Sequence, residues 1–149
     1  MREFRYERLL QWSECDPAGI IFFPHYARWM VEGVNLMFLA MGIDPNAVTE
    51  NGMQGGLPST GFSMQFLAPA KLHDQLVHEI VVSRLGSKSL SFKHRFMRAE
   101  QCLAEAEEVR VWAESDASGM RAIAVPAPVR ALLESNEFLT HPLVISPAH

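Results

Sequence analysis

Cysteine is scarce: Cys15 and Cys102 stand alone in 149 residues, with no CxxC spacing, so both are expected as reduced thiols rather than a disulfide framework or a metal clasp. Cations are scarce as well. Thirteen Lys and Arg face seventeen Asp and Glu for a formal net charge of -4, which excludes a general nucleic-acid binder, because such a protein displaces counterions with a surplus of positive charge. No stretch reaches the roughly 18 consecutive apolar residues of a membrane span. The amino-terminal MREFRYERLLQW interrupts its apolar residues with charges, unlike a signal peptide. The expectation is a cytoplasmic protein with no membrane or nucleic-acid partner. GxSxG, Walker, GxGxxG and HExxH patterns are all missing, so those chemistries lack their anchors. The six histidines are scattered. His73 and His78, the closest pair, face opposite ways on an extended segment, and no metal site is expected.

What is present is a chain 48% hydrophobic, long enough to bury roughly two-thirds of its extended surface around one core. Residues 3 to 12 read as a strand, because Phe4, Tyr6 and the Leu9, Leu10 pair punctuate charged positions with a period near two. Ser13, Asp16, Pro17 and Gly19 then supply turn chemistry, and Pro24 sits where a helix starts without wasting a backbone donor. Up to Gly42, residues Tyr26, Trp29, Met30, Gly33, Val34, Met37, Phe38 and Met41 recur at helical spacing. Val31, Leu36 and Leu39 widen that arc, predicting a core helix wrapped by other structure. The glycine-rich stretch from Asn51 to Gly56 reads as a flexible connector, or else as backbone that approaches a ligand.

The period then switches to two. Phe62, Met64 and Phe66 alternate with Gly61, Ser63 and Gln65, and Leu90, Phe92, His94 and Phe96 alternate with Ser89, Ser91, Lys93 and Arg95. Further strands are predicted at 76 to 84, 103 to 114 and 120 to 125, with turns at Gly86-Ser87 and Ser118-Gly119. Pro126 and Pro128 permit one short terminal helix. The fold class is therefore α+β, a single domain over residues 1 to 149 with a long central helix on one face of a curved antiparallel sheet.

The segment from Asp16 to Pro24 carries the clearest chemistry. It places a carboxylate in a turn just before a buried helix, where unpaired N–H groups and the positive end of the helix dipole favour developing negative charge. Backbone donors that polarise a carbonyl, beside a carboxylate that attacks it or deprotonates water, suit acyl transfer. A plain Asx turn at Asp16 is the competing reading. The stretch from Ser83 to Arg98 holds Arg84, Lys88, Lys93, Arg95 and Arg98 and no acid. It suits an anionic ligand such as a nucleotide phosphate, or pairs across a hairpin with the acids that follow, from Glu100 to Asp116. His25, Arg28 and Glu32 share one helical face, either as acid/base groups or as a solvated or subunit-facing stripe.

The run DPAGIIFFPHYARWM, Asp16 to Met30, follows a strand and opens an apolar helix. It resembles the signature of the hotdog-fold 4-hydroxybenzoyl-CoA thioesterase family. The resemblance implies a sheet wrapped around the Pro24 to Met41 helix, dimers that join sheets edge to edge, and often tetramers. It implies hydrolysis of an acyl-CoA by water, with no cofactor, aromatic acyl groups being the first expectation and aliphatic ones the alternative. Asp16 matches the family's catalytic carboxylate, and the Phe23 N–H matches the donor that polarises the thioester carbonyl. Lys88 falls where a family cation lies near the active site, and its neighbours Arg84, Ser87 and Ser89 become candidates for binding coenzyme A. Two positions after Trp29, where members specific for aromatic acyl groups carry an acid, this chain has Val31, with Glu32 next. A hotdog hydratase would need a histidine five residues after Asp16, where Ile21 stands, and a non-catalytic acyl-CoA-binding module is the remaining alternative.

Overall fold

The computed structural model describes residues 1–145. Strand β1 (Glu3–Leu9) leads through one turn of tight helix (Trp12–Glu14) into α1 (Pro24–Ala40), followed by β2 (Gln54–Gly56), β3 (Ser59–Phe66), β4 (Gln75–Leu85), β5 (Ser89–Arg98) and β6 (Gln101–Val111). Then come β7 (Ala113–Asp116), β8 (Gly119–Ala122), α2 (Ala127–Glu134) and β9 (Phe138–Ile145). Six strands form one sheet in the order β3-β6-β5-β4-β1-β9, and β2-β7-β8 form a second, smaller one. All pairs are antiparallel except β1 with β9, which is parallel.

The period-two pattern explains the large sheet's inner face. Phe4, Tyr6 and Arg8 from β1, Leu76, His78, Ile80 and Val82 from β4, and Leu90, Phe92, His94 and Phe96 from β5 are all buried. Helix α1 lies across this face with Tyr26, Trp29, Met30, Gly33, Val34, Met37 and Phe38 inward. Its close approach depends on Gly33, since a methyl group there would stand 2.7 Å from the His78 ring. The apolar core is split into two clusters. One gathers Tyr26, Trp29, Leu76 and Phe96 under the start of α1, the other Phe4, Phe38, Ile80 and Phe92 under its end.

A row of polar side chains runs across the sheet beneath the helix. The Tyr6 hydroxyl and His78 Nδ1 are 2.6 Å apart, His78 Nε2 and His94 Nδ1 2.8 Å, and His94 Nε2 and Glu108 Oε1 2.8 Å. Arg110 Nε donates to the other oxygen of Glu108 at 3.1 Å. Against the effect of burial, the hydrogen bond from His94 and the charge of Arg110 hold Glu108 below the usual carboxylate range, so it only accepts, which sets the direction of the whole chain. His94 donates to Glu108, His78 donates to His94, and Tyr6 donates to His78. Burial, then the neighbouring His94 and Arg8, hold His78 well below the ordinary imidazole range. Burial also lowers His94, against the opposing pull of Glu108. Both rings are neutral and each nitrogen is used.

Several sequence expectations are corrected. The first strand stops at Leu9 rather than residue 12, because Leu10 leaves the ladder to bond across to Asp74 and His73. The Asn51 to Gly56 stretch is no flexible connector: Gln54–Gly56 pairs with β7, and a side chain on Gly55 would meet the Ala47 carbonyl at 2.4 Å. Val31 and Leu39 are 57% and 65% exposed, so the single chain covers α1 on one side only. The predicted strand at 103 to 114 breaks at Trp112 into two strands belonging to different sheets. Strand β9 has no counterpart among the strands predicted from periodicity. Pro142 weakens the strand signal there, and an edge position tolerates a residue without an N–H.

Candidate active site

Between the tight turn and α1 the chain folds back on itself. Asp16 N–H donates to the Ile20 carbonyl at 2.8 Å, Cys15 bridges to Ile21, and Phe22 N–H donates to the Glu14 carbonyl at 2.9 Å. Gly19 turns the loop with φ +79°, a conformation that favours glycine. Asp16 is half-buried, and its Oδ1 accepts the Ala18 N–H at 2.8 Å. The Asx turn is thus present, but it uses only one carboxylate oxygen. Among the described residues Oδ2 has no hydrogen-bond partner.

The backbone donors that follow are nearly all consumed. Ile21 N–H bonds to Ala70, Phe22 to Glu14, His25 to Phe22 and Tyr26 to Phe23, at 2.9 to 3.0 Å. Phe23 N–H is passed over, with no acceptor among the described residues, and Pro24 has no N–H. One donor is left at the positive end of a 17-residue helix, at the same end as the Asp16 turn. The Phe23 side chain is 60% exposed and meets the Phe66 ring edge-on at 5.8 Å. Phe22 and Leu67 are also exposed, so the two polar groups open onto an apolar surface. Cys15 adjoins Asp16, but burial and then Glu14 and Asp16 push its thiol up, which makes it a poor nucleophile.

The structure does not bring the other predicted site residues to Asp16 within one chain. Asp16 lies near the Gln75 end of β4, whereas Arg84, Ser87, Lys88 and Ser89 surround the hairpin after Leu85. The eleven residues of β4 separate them by roughly 35 Å at the usual rise. Arg84 and Lys88 are exposed and form no ion pair among the described residues, while the Lys88 and Ser87 carbonyls accept the Trp112 and Val125 N–H groups. Of the rest of the basic stretch, Arg95 pairs with Glu79 at 3.9 Å and Arg98 with Asp74 at 2.5 Å, while Lys93 lies opposite Glu107 on the β5–β6 ladder and forms no ion pair among the described residues. Two cavities, about 410 Å³ over β3, β5 and β6 and about 590 Å³ beside Trp112 and Glu114, are lined by neither Asp16 nor Phe23.

His25 contacts the Phe22 ring, whereas Arg28 and Glu32 belong to a cluster that sequence reasoning did not assemble. Its hub is Glu14, 1% exposed, whose Oε2 accepts from Arg28 at 2.7 Å and from the Trp29 indole at 2.8 Å, with Arg8 at 3.9 Å. Arg8 also pairs with Glu32. The available signal was one of phase: Arg8 alternates with Phe4 and Tyr6, just as His78 and His94 alternate with apolar residues on their strands. A polar residue in the apolar phase marks a buried polar partner.

Comparison with known proteins identifies the family. Residues 10–133 match the model of the thioesterase-like superfamily. The 4-hydroxybenzoyl-CoA thioesterase of Pseudomonas sp. (strain CBS-3) is 32% identical over 133 residues, covering 85% of this chain and 94% of that protein. The crystal structure of an Asp-to-Asn mutant of 4-hydroxybenzoyl-CoA thioesterase, complexed with 4-hydroxybenzoyl-CoA, superposes with a TM-score of 0.82 at 29% identity. It covers 90% of this chain and 100% of the other. A gentisyl-coenzyme A thioesterase structure gives 0.72 at 26% identity, covering 85% and 98%. With its helix laid across a curved sheet and its match over most of the length, the chain belongs to the thioesterase-like superfamily and has the hotdog fold.

Proposed function

We propose that the protein is an acyl-CoA thioesterase acting on aromatic acyl groups, with Asp16 as nucleophile or general base. The observation that carries this reading is the pairing, at one end of α1, of the Phe23 N–H with a carboxylate oxygen of Asp16, each without a hydrogen-bond partner among the described residues. The N–H and the helix dipole stabilise negative charge on the thioester oxygen as the carbonyl is attacked. Either Asp16 attacks directly, expelling coenzyme A thiolate and leaving an anhydride that water opens, or it takes a proton from an attacking water. Both routes consume one water and release a carboxylic acid and free coenzyme A, without a cofactor. The aromatic substrates named for the relatives, and the Asp-to-Asn mutant of one of them held with its substrate, support the assignment.

The reading includes one hotdog domain and a two-fold homodimer formed through β3, an edge strand whose outer ladder is open and whose Phe62 and Phe66 are 60% and 54% exposed. Two copies paired antiparallel along β3 reverse direction. The Phe66 end of one, beside Phe23, then meets the Ser59 end of the other, where β5 and β6 begin and end at Ser89 and Val111. That arrangement brings the partner's Lys88, Arg84, Ser87 and Ser89 toward Asp16, with the cations available to coenzyme A phosphates. Val31 adds an exposed apolar side chain where aromatic-specific members carry an acid, and Glu32 is committed to Arg8 and Arg28. The acyl group expected first is an aromatic, hydroxybenzoyl-like ring, and rings without the hydroxyl are included in the panel to read out the effect of Val31.

The test is thiol release from a panel of aromatic and aliphatic acyl-CoAs, with wild type and Asp16→Asn side by side. Turnover that falls at least about 100-fold in a folded Asp16→Asn variant is expected. Retained turnover in that variant refutes the role of Asp16, and tight binding without turnover by wild type makes the protein an acyl-CoA-binding module.

A further inference from the structure

We infer that Glu14 is a positioning residue for the reaction, holding the Asp16 turn and the Phe23 N–H in their working relation. The inference rests on the proposed roles of those two groups. Glu14 joins three elements through a single carboxylate. Oε1 accepts the Gln11 N–H at 3.1 Å, closing the tight turn, and Oε2 accepts from Arg28 and the Trp29 indole on the first turns of α1. Arg8 approaches from β1 at 3.9 Å. The main-chain carbonyl of the same residue accepts the Phe22 N–H at 2.9 Å.

Two residues after Glu14 comes Asp16, and one residue after Phe22 comes the Phe23 N–H, which has no acceptor among the described residues. One buried residue therefore fastens both sides of the loop, its side chain to the helix and its backbone to the helix entry. The charge is compensated by Arg8 and Arg28, and Arg8 and Arg28 share Glu32, so the cluster behaves as one rigid unit. The carboxylate is 1% exposed and buried beneath the loop, which leaves it no path to touch substrate. Its effect on the reaction runs entirely through where it places Asp16 and Phe23.

Such a residue affects the transition state more than substrate binding. A displacement of about 1 Å between a nucleophile and an electrophilic donor costs on the order of 100-fold in rate, while the surfaces that hold coenzyme A stay intact. Glu14→Gln preserves volume but turns an amide donor toward two guanidinium groups and an indole N–H. A fall of about 10- to 100-fold in kcat is expected, with KM within about 2-fold of wild type and the fold intact by circular dichroism at the assay temperature.

The comparison uses wild type, Glu14→Gln, Trp29→Phe and Asp16→Asn on the best substrate of the panel, with thermal melts alongside. Trp29→Phe removes one donor to Glu14 and keeps the aromatic packing, and a loss of about 3- to 10-fold in kcat at unchanged KM is expected. It carries the test if Glu14→Gln does not fold. A folded Glu14→Gln with wild-type kcat, or a lowered melting temperature with normal kcat well below it, overturns the inference and leaves the Asp16 reading standing. Full activity in Asp16→Asn instead overturns the catalytic reading, whatever Glu14→Gln does.

Discussion

The buried row Tyr6, His78, His94, Glu108 and Arg110 makes stability sensitive to mild acid. Both imidazoles are neutral in the folded protein, with His78 held well below and His94 held below the ordinary value of 6.5. In the unfolded chain each takes a proton near 6.5, so the unfolded state binds more protons as the pH falls below that value, and stability drops with it. The sign is the opposite of that for a histidine stabilised by a carboxylate. Each imidazole that stays neutral while its unfolded counterpart titrates costs about 1.4 kcal/mol per pH unit once below 6.5. Between pH 7.5 and 5.5 a ring that stays neutral throughout, as His78 does, accounts for about 1.4 kcal/mol, and His94, opposed by Glu108, adds a smaller amount, for about 2 kcal/mol together. Glu108 lies outside this window. Burial raises it, but His94 and Arg110 outweigh that and hold it below 4.5, so its contribution is lost only in stronger acid. The assay is urea unfolding at fixed protein concentration across this pH range, where a loss of about 2 kcal/mol lowers the midpoint by about 1 M at constant m-value. His94→Gln is the control, since its amide accepts from His78 and donates to Glu108 without titrating. It should flatten the slope. A midpoint unchanged between pH 7.5 and 5.5, or an equal slope in His94→Gln, refutes the argument.

Gly33→Ala is expected to destabilise by about 1 to 3 kcal/mol despite alanine's better helix propensity, because the new methyl meets the His78 ring and the Ile80 side chain at 2.7 Å; denaturant midpoints check this. Tyr26→Phe should stabilise by about 1 kcal/mol, raising the melting temperature by about 2 to 4 °C, since the buried hydroxyl has no partner among the described residues. Lys88→Ala should raise KM several-fold with kcat unchanged, an effect that shrinks as salt increases, and a salt-independent KM equal to wild type counts against phosphate binding by Lys88.

Elements that announce themselves through local periodicity are legible in the amino-acid sequence. Helix α1 ends within two residues of its predicted limits, because Pro24 and Gly42, with φ +73°, punctuate it. The strands β4 and β5 follow the period-two pattern to within a few residues, and the turns at Gly86 and Gly119 are where small residues put them. The Asp16 turn before a proline-started helix is legible too, since both its parts lie within nine residues of one another. Less is visible wherever meaning depends on strand neighbours. The basic stretch after Ser83 reads the same whether its cations bind a ligand or face Glu105 and Glu107, and only the pairing of β5 with β4, which brings Arg98 to Asp74, separates that engaged side chain from the exposed Lys88.

The sequence by itself determined the α+β layout, the apolar faces and the local turn that holds Asp16, because each follows from periods of two or 3.6 and from the backbone preferences of proline, glycine and aspartate. Tertiary structure alone decided that Arg8, Glu14 and Glu32 share one cluster, that Tyr6, His78, His94 and Glu108 form a directed chain across four strands, and that the Phe23 N–H is left without an acceptor among the described residues. The physical reason is that burying a charge or leaving an N–H unsatisfied costs several kcal/mol. Whether that cost is met depends on which partners distant strands deliver, and no local pattern in the chain records it.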